Sequence, residues 1–144
     1  MKVERFHVGT RLSEMAIHHG TVYLAGQIAE DTSADIAGQT AQVLSSIDRL
    51  LTEAGTDKTR ILMAQIIITD MRLFGDLNRA WEAWVTPGNT PPRATIEAKL
   101  NGSKNPFVLH CRKHFAFFRD LRYTFPFVGD RAFANLKFSA EVCE

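Results

Sequence analysis

The sequence predicts an α+β fold in which two helices cover one face of a mixed β-sheet. Strand-like apolar runs alternate with two segments whose apolar residues recur at helical spacing, in the order β, β, α, β, α, β. The length of 144 residues suits one domain, residues 1–144, with a buried core. Because two helices cover only one face of a sheet, we expect the other face to be polar or buried against another chain.

Short apolar runs predict the strands. Residues 6–8 form a first short strand, and residues 15–18 and 22–27 form two strands joined by the glycine-containing turn HHGT. The run ILMAQIIIT at residues 61–69 is β-branched and almost wholly apolar, which is typical of a central strand covered on both faces. Residues 94–100 alternate between apolar and polar side chains, as in a half-buried strand.

The two helices are predicted from apolar residues that fall on one helical face. The first spans residues 34–54, follows candidate N-cap oxygens in EDTS and ends at Gly55. The second spans residues 73–85 and is closed by TPGNTPP. The apolar faces comprise Ile36, Val43, Leu44, Ile47, Leu50 and Leu51 in the first helix, and Phe74, Leu77, Trp81, Trp84 and Val85 in the second.

Composition gives no sign of a nucleic-acid or membrane partner. The formal net charge is +1, and 45% of the residues are hydrophobic. The chain has no apolar run of membrane-spanning length, and its start, MKVERFHVGTRLSEM, is too polar for a signal peptide, so we expect a cytoplasmic protein. In that reducing compartment Cys111 and Cys143 would remain thiols.

Arg93 is the main candidate for a functional residue. It follows Pro91 and Pro92, which stiffen the backbone, and directly precedes an alternating strand. A guanidinium at a rigid strand entrance loses little further freedom when it binds a planar anion. We therefore expect Arg93 to bind a planar anionic group. Glu97 is a candidate partner of Arg93, although an exposed strand carboxylate is the ordinary case.

Several stretches stand in the order and spacing of one known family. They are VYLAGQIAED, the helical ADIAGQTAQVLSSIDRLLTEAGTDKTRIL, the strand MAQIIITD, the helix LFGDLNRAWEAWV and the ending PGNTPPRATIEAKL. Over residues 14–100 the chain thus resembles the Rid superfamily of reactive intermediate deaminases, also called YjgF-like proteins. The resemblance implies a homotrimer with a chorismate mutase-like fold, in which the sheets face one another and three clefts lie between subunits.

The resemblance also implies an activity. The best-studied Rid branch hydrolyses imines and enamines derived from amino acids, such as 2-iminopropanoate and 2-iminobutanoate, to 2-oxo acids and ammonia, with no metal or organic cofactor. Arg93 matches the family arginine that binds the substrate carboxylate, and would be the catalytic residue. Gly26 matches the glycine of a family turn, Asn78 matches an asparagine of the cleft, and Thr95 stands where many members carry a cysteine.

Three positions depart from that branch. Ala25, a candidate substrate-binding position beside Gly26, replaces a serine, and Met15 falls near the place of a tyrosine. By spacing from Arg93, Val108 falls at the position of a glutamate that orients the attacking water in that branch. A valine accepts no proton, and loss of a general base typically slows a reaction by roughly 10²–10⁴-fold.

The segment 101–144 is atypical for the family. Eight of the ten phenylalanines lie there, so the composition changes at about residue 100. FVLHC at residues 107–111 could supply the last strand of the sheet. Alternatively, LKFSAEV at residues 136–142 could supply it, with residues 101–135 as a long insertion. A reading-frame shift or an alternative end in the gene is a third explanation for this segment.

Other motifs have simpler explanations than a ligand site. His18 and His19 are neighbours in a hairpin and should point apart, so we expect no metal site there. HCRKH at residues 110–114 lacks a second pair of ligands. Trp81 and Trp84 have helical spacing and are expected in the core rather than on a base-stacking surface.

Three functions are consistent with the sequence. The leading hypothesis is a deaminase of reactive 2-imino and enamine acids, acting as a homotrimer. The second is a non-catalytic protein that binds small carboxylates in the same cleft, which the valine at 108 and the alanine at 25 favour. The third is RNA binding or cleavage through the basic and aromatic run CRKHFAFFRDLRYTF, although nucleic acid is not the partner we expect.

Overall fold

The computed structural model describes residues 2–99 and the strand at residues 107–113. Within this part of the chain the strands are β1 Glu4–Val8, β2 Ser13–His18, β3 Thr21–Leu24, β4 Met63–Ile68, β5 Arg93–Glu97 and β6 Phe107–Lys113. The α-helices are α1 Ile36–Glu53 and α2 Phe74–Trp84, and short 3-10 turns at Lys58–Arg60 and Met71–Leu73 precede β4 and α2. The α+β class is confirmed. The observed order contains the predicted β, β, α, β, α, β, with β1, which residues 6–8 predicted, before it and β6 after it.

The described strands form a single mixed sheet in the order β1-β2-β3-β6-β4-β5. Neighbours are antiparallel except for β4 and β5, which are parallel. β6 lies between β3 and β4, with Val108 opposite Ile67. FVLHC therefore contributes to the last strand, as the first of the alternatives predicted. The other candidate, residues 136–142, lies outside the described residues.

The turn between β2 and β3 is a tight hairpin. His18 pairs with Thr21, and the two residues between them, His19 and Gly20, have φ angles of 51° and 71°. Two consecutive positive φ angles are typical of a type I′ turn, whose twist matches that of the flanking strands. The predicted HHGT turn is confirmed.

The core lies between the two helices and one face of the sheet. Alternate residues of each strand point towards the helices, and the apolar face of α1 meets them. The buried apolar side chains from the strands are Met15, Val22, Leu24, Ala64, Ile66 and Ile68, and those from the helices are Ile36, Val43, Leu44, Ile47, Leu50, Leu51, Leu77 and Trp81. The prediction that two helices cover one sheet face is confirmed.

The opposite face of the sheet has no cover within the described part of the chain. Along β4, Met63 is 37% exposed and Gln65 and Ile67 are half-buried, in alternation with the fully buried residues. The prediction that residues 61–69 are covered on both faces is therefore wrong for one chain, because both helices lie on the same side. We call this side the open face; it carries Tyr23, Met63, Gln65, Ile67, Ala94 and Ile96.

Helix α1 is capped at both ends. The Asp35 carboxylate accepts a hydrogen bond from the backbone N–H of Gly38 at 2.8 Å, so Asp35 is the N-cap residue. The sequence predicts the N-cap within EDTS, which ends two residues earlier. The prediction was wrong because Asp31, within EDTS, instead accepts from the backbone N–H of Ser33 at 2.9 Å and closes a turn of its own. At the other end Gly55 has a φ of 73°, as expected of a glycine that terminates a helix.

The two helices are joined by a polar contact beside their apolar one. The Trp84 indole N–H donates to the Asp48 carboxylate at 2.8 Å, and the rings of Trp81 and Trp84 lie 5.3 Å apart. Trp81 is 4% exposed and Trp84 is half-buried against the core, which confirms that both belong to it. Neither helix in the described ranges has the length and apolar composition needed to cross a membrane.

Candidate functional site

The backbone around Arg93 is fixed by the sheet and by proline. Pro91 is buried, and the Pro92 carbonyl accepts the backbone N–H of Ala64 at 3.0 Å. Arg93 then begins β5 in parallel register with Ala64 of β4. The stiff strand entrance expected from the sequence is therefore present, and it directs the Arg93 side chain to the helix side of the sheet.

Helix α2 forms a cradle for the Arg93 guanidinium. Its Nη2 donates to the side-chain oxygen of Asn78 at 2.7 Å. Its central carbon lies 5.2 Å from the ring centroid of Trp81 and 5.5 Å from that of Phe74. These three partners are spaced i, i+4 and i+7 along α2, so they lie on one helical face. Cation–π contact and one hydrogen bond thus hold the guanidinium in place.

Two buried polar atoms at this site have no hydrogen-bond partner among the described residues. They are Arg93 Nη1 and Thr95 Oγ1. Both side chains lie on the same face of β5, about 6.6 Å apart along the strand. Buried polar groups normally have a partner, so two orphaned groups side by side indicate that something outside this part of the chain satisfies them.

Arg93 borders an open cavity of about 510 Å³. The cavity lies between the second half of α2 and the loop that leads into β5. Its lining residues are Asn78, Trp81, Glu82, Val85, Pro87, Thr90, Pro91 and Arg93. An aromatic wall, two prolines and one guanidinium suit a small organic anion, because the apolar surface partly desolvates the charge.

Burial changes the electrostatics of Arg93. It lowers the pKa of the guanidinium below its ordinary value, and the negative charge of Glu82 acts in the opposite direction. Arginine nevertheless stays protonated in proteins, so Arg93 presents a permanent positive charge to the cavity. Partial desolvation also strengthens the attraction of that charge for an anion.

The structure brings together some of the predicted site residues. Arg93 and Asn78 are hydrogen-bonded, and Thr95 shares the strand face of Arg93. Ala25 and Gly26 follow β3, which is separated from β5 by β6 and β4, a distance of about 14 Å at ordinary strand spacing. They do not line the cavity, so one chain does not bring them to Arg93.

The backbone around Ala25 is nevertheless well defined. Its N–H donates to the Glu14 carbonyl at 2.8 Å, and its carbonyl accepts from the Gln27 side chain at 3.1 Å. Met15, which falls near the family's tyrosine position, is 1% exposed and lies in the core. It therefore contributes packing within this chain and does not reach the cavity.

Glu97 is exposed, the ordinary case for a strand carboxylate, and none of the salt bridges among the described residues joins it to Arg93. Its carboxylate accepts the backbone N–H of Met71 at 3.2 Å. One expectation about neighbouring residues was wrong. The rings of His18 and His19 do not point apart but meet edge to face at 4.2 Å, because His19 lies in the turn and not in a strand.

No group of three or more His, Cys, Asp or Glu side chains that could hold a metal ion occurs in the part of the chain that the structure describes. The side chains of HCRKH lie outside that part.

Sequence reasoning missed Glu82 as a member of the site. It is exposed and resembles any solvated helix residue, although its i+4 spacing from Asn78 could have indicated that it shares the cleft face. It also missed that Trp81 has two roles. The indole is a core residue, as predicted, and its ring also supports the guanidinium.

Known proteins resemble this chain over most of the described region. The endoribonuclease L-PSP family model matches residues 3–105. A RutC family protein of Haemophilus ducreyi is 50% identical over 98 residues, which cover 68% of this chain and 84% of that protein. The RutC family protein YoaB of Escherichia coli is 38% identical over 104 residues, covering 72% and 90%. A 2-iminobutanoate/2-iminopropanoate deaminase of Rattus norvegicus is 28% identical over 91 residues, covering 59% and 66%.

Solved structures share the fold. A YjgF-family protein of Neisseria meningitidis has a TM-score of 0.76 and 36% identity, and the match covers 84% of this chain and 98% of that one. A Pseudomonas aeruginosa protein has a TM-score of 0.76 and 37% identity, covering 78% and 98%. The resemblance seen in residues 14–100 is confirmed, and the chain belongs to the endoribonuclease L-PSP family, which includes the YjgF and Rid proteins.

Proposed function

We propose that this protein is a hydrolase that deaminates reactive 2-imino and enamine acids to 2-oxo acids and ammonia, with Arg93 binding the substrate carboxylate. The observation that carries the proposal is the state of the guanidinium. It is half-buried, anchored by a neutral amide and two aromatic rings, unpaired at Nη1 and open to a cavity. A bidentate pair between such a cation and a carboxylate is worth roughly 1.5–3 kcal/mol.

The reaction requires positioning more than strong chemical groups. The oxygen of a water molecule adds to the imine carbon, the water protons pass to the nitrogen, and the C–N bond breaks to leave a 2-oxo acid and ammonia. Neither carbon nor nitrogen changes oxidation state, so the hydrolysis needs no redox cofactor. Because imines are already labile, holding the carboxylate and the water in place supplies much of the acceleration.

Thr95 is the candidate for a second substrate contact. Its hydroxyl can donate and accept a hydrogen bond, has no partner among the described residues, and lies two residues from Arg93 on the same strand face. In our proposal it contacts the part of the ligand next to the carboxylate, while Asn78 holds the guanidinium.

A homotrimer would complete the site. The open face of the sheet presents Tyr23, Met63 and other apolar side chains that the helices of the same chain do not cover. If the open faces of three copies meet, Ala25 and Gly26 of one copy can approach the Arg93 cavity of the next, which one chain alone does not achieve. The absence of a side chain at Gly26 would allow close approach to a ligand.

A carboxylate-binding protein without catalysis is the second candidate. The sequence of β6, FVLHCRK, contains no Asp or Glu, so that strand offers no carboxylate to accept a proton from the attacking water. Loss of a general base typically slows a reaction by roughly 10²–10⁴-fold. If some acceleration remains, the protein is a slow enzyme; if none remains, it is a binding protein.

Turnover distinguishes the two candidates. 2-Iminopropanoate generated in situ is trapped as its semicarbazone, and hydrolysis by the protein lowers the trapped fraction. We expect the wild type to accelerate hydrolysis and Arg93→Ala to lose at least about tenfold of kcat/KM, the equivalent of about 1.4 kcal/mol. Arg72→Ala, which removes an exposed arginine paired with Asp70, is the matched control. Equal rates for wild type and Arg93→Ala would refute the deaminase proposal.

A further inference from the structure

Glu82 places a negative charge in a cavity that we propose binds an acid. It lines the same cavity as Arg93 and belongs to α2. Its side chain is exposed, and none of the ion pairs among the described residues involves it. A carboxylate in that position repels a second anionic group on a bound ligand and attracts a cationic one. The charge of Glu82 therefore affects which carboxylic acids can bind in the cavity.

The cavity runs along helix α2. Asn78 and Glu82 line it from one face of α2, Val85 lines it from the C-cap position, and Asn78 holds the Arg93 guanidinium. At about 1.5 Å of rise per residue, Glu82 lies about 6 Å further along the helix axis than Asn78. A ligand whose carboxylate meets Arg93 can therefore extend its other end along the cavity to the Glu82 carboxylate.

The C-terminus of α2 adds to the negative electrostatic potential that Glu82 creates. The backbone N–H of Val85 donates to the Trp81 carbonyl at 3.0 Å, which closes the last helical hydrogen bond of α2. The carbonyls of the final turn give a helix C-terminus a partial negative charge that favours cations. Val85 and Pro87 border the cavity at this end. Glu82 and the helix terminus thus favour the same sign of ligand charge.

We propose that Glu82 is a specificity-determining residue that selects ligands bearing a carboxylate at one end and a cationic group, such as a guanidinium or an ammonium, at the other. The inference rests on the proposed function in that Arg93 must bind the carboxylate end. It assigns 2-imino acids with a basic side chain as the preferred substrate class, and it assigns acids with a second carboxylate as the disfavoured one.

The test compares three stable probes of similar length by calorimetry: 4-guanidinobutanoate, hexanoate and hexanedioate. We expect the wild type to bind them in that order of decreasing affinity. Glu82→Gln keeps the shape and removes the charge, so it should weaken the guanidinium probe and strengthen the dicarboxylate by about threefold each, as for an exposed charge pair. The ratio of the two affinities should then fall about tenfold. Glu4→Gln, at the opposite edge of the sheet, should keep the wild-type ratio.

The outcomes separate this inference from the proposed function. An unchanged ratio in Glu82→Gln, with hexanoate binding still lost in Arg93→Ala, would overturn the role of Glu82 and leave the carboxylate site intact. Failure of the wild type to bind any probe, or equal binding by Arg93→Ala, would overturn both. A tenfold fall in the ratio confined to Glu82→Gln supports the inference.

Discussion

At the scale of single residues, the important feature of Arg93 is that its partner is neutral. Buried arginines usually pair with a carboxylate, which cancels their charge. Here the guanidinium is held by the Asn78 amide and by the faces of Trp81 and Phe74, and the Glu82 charge acts on it without forming a salt bridge, so its charge is oriented and no ion pair cancels it. An oriented, uncancelled cation at a cavity can bind an anion, whereas a structural ion pair cannot do so without first separating.

Replacement of the neutral Asn78 amide by a carboxylate should weaken ligand binding. Asn78→Asp keeps the size of the side chain but places a carboxylate on Arg93 Nη2. The new ion pair would compete with the ligand, so we expect the affinity for small 2-oxo acids to fall at least about tenfold, more than in Asn78→Ala. Calorimetric titration measures both variants. If Asn78→Asp bound the ligand as tightly as the wild type, the ligand would not bind through the charge of Arg93.

The residue scale also shows how far the sequence alone could go. Arg93 could be singled out because two prolines and an alternating strand constrain its backbone. Family resemblance indicated Asn78 as a cleft residue, but not its hydrogen bond to Arg93. Glu82 was not predicted, since an exposed acid on a helix has no signature in sequence until the cavity beside it is known. The partnership of Glu97 with the Met71 backbone depends on tertiary geometry that strand periodicity does not contain.

At the scale of elements, α2 and β5 build the site, and α1 with β4 hold them in place. Apolar periodicity predicted both helices, since the core-facing residues set their register. Strand β4 was assigned a cover on both faces because Ile67 and Met63 look the same in sequence as the buried Ile66. Apolar composition predicts that a strand face will avoid water, but it does not show whether the same chain or another chain covers that face.

The cap of α1 gives a prediction for stability. Asp35→Ala removes the carboxylate that accepts the Gly38 N–H, and we expect the free energy of unfolding to fall by about 1 kcal/mol. Asp35→Asn keeps an oxygen acceptor and should recover most of this loss. Urea denaturation followed by circular dichroism measures both variants. Equal losses in the two variants would mean that the hydrogen bond is not what Asp35 contributes.

At the scale of the whole molecule, the open face and the positions of Ala25 and Gly26 favour the assembly that we propose. The helices cover one side of the sheet, the other side exposes apolar residues, and Ala25 and Gly26 lie away from the Arg93 cavity of their own chain. An assembly that buries the open face would cover these apolar residues, and we propose that it also brings Ala25 and Gly26 of one copy to the Arg93 cavity of the next. The trimer was expected from family resemblance, since the sequence pattern of one chain does not count its copies.

The proposed assembly can be tested by mutation of the open face. Sedimentation should give three times the chain mass of 16.2 kDa for the wild type. Ile67→Arg places a charge in the centre of the proposed interface and should yield monomers, because burying an unpaired charge costs several kcal/mol. Thr52→Arg, on the exposed surface of α1, is the control and should remain trimeric. A monomeric wild type, or a trimeric Ile67→Arg, would contradict this assembly.

Calorimetric titration of pyruvate into the wild type, Arg93→Lys and Arg93→Ala shows whether the Arg93 guanidinium binds the carboxylate of a small metabolite. We expect binding by the wild type, an affinity at least about tenfold lower in Arg93→Lys, which keeps the charge but loses the planar pair of donors, and no measurable binding in Arg93→Ala. Binding of equal strength in the wild type and Arg93→Ala would show that Arg93 does not bind the carboxylate.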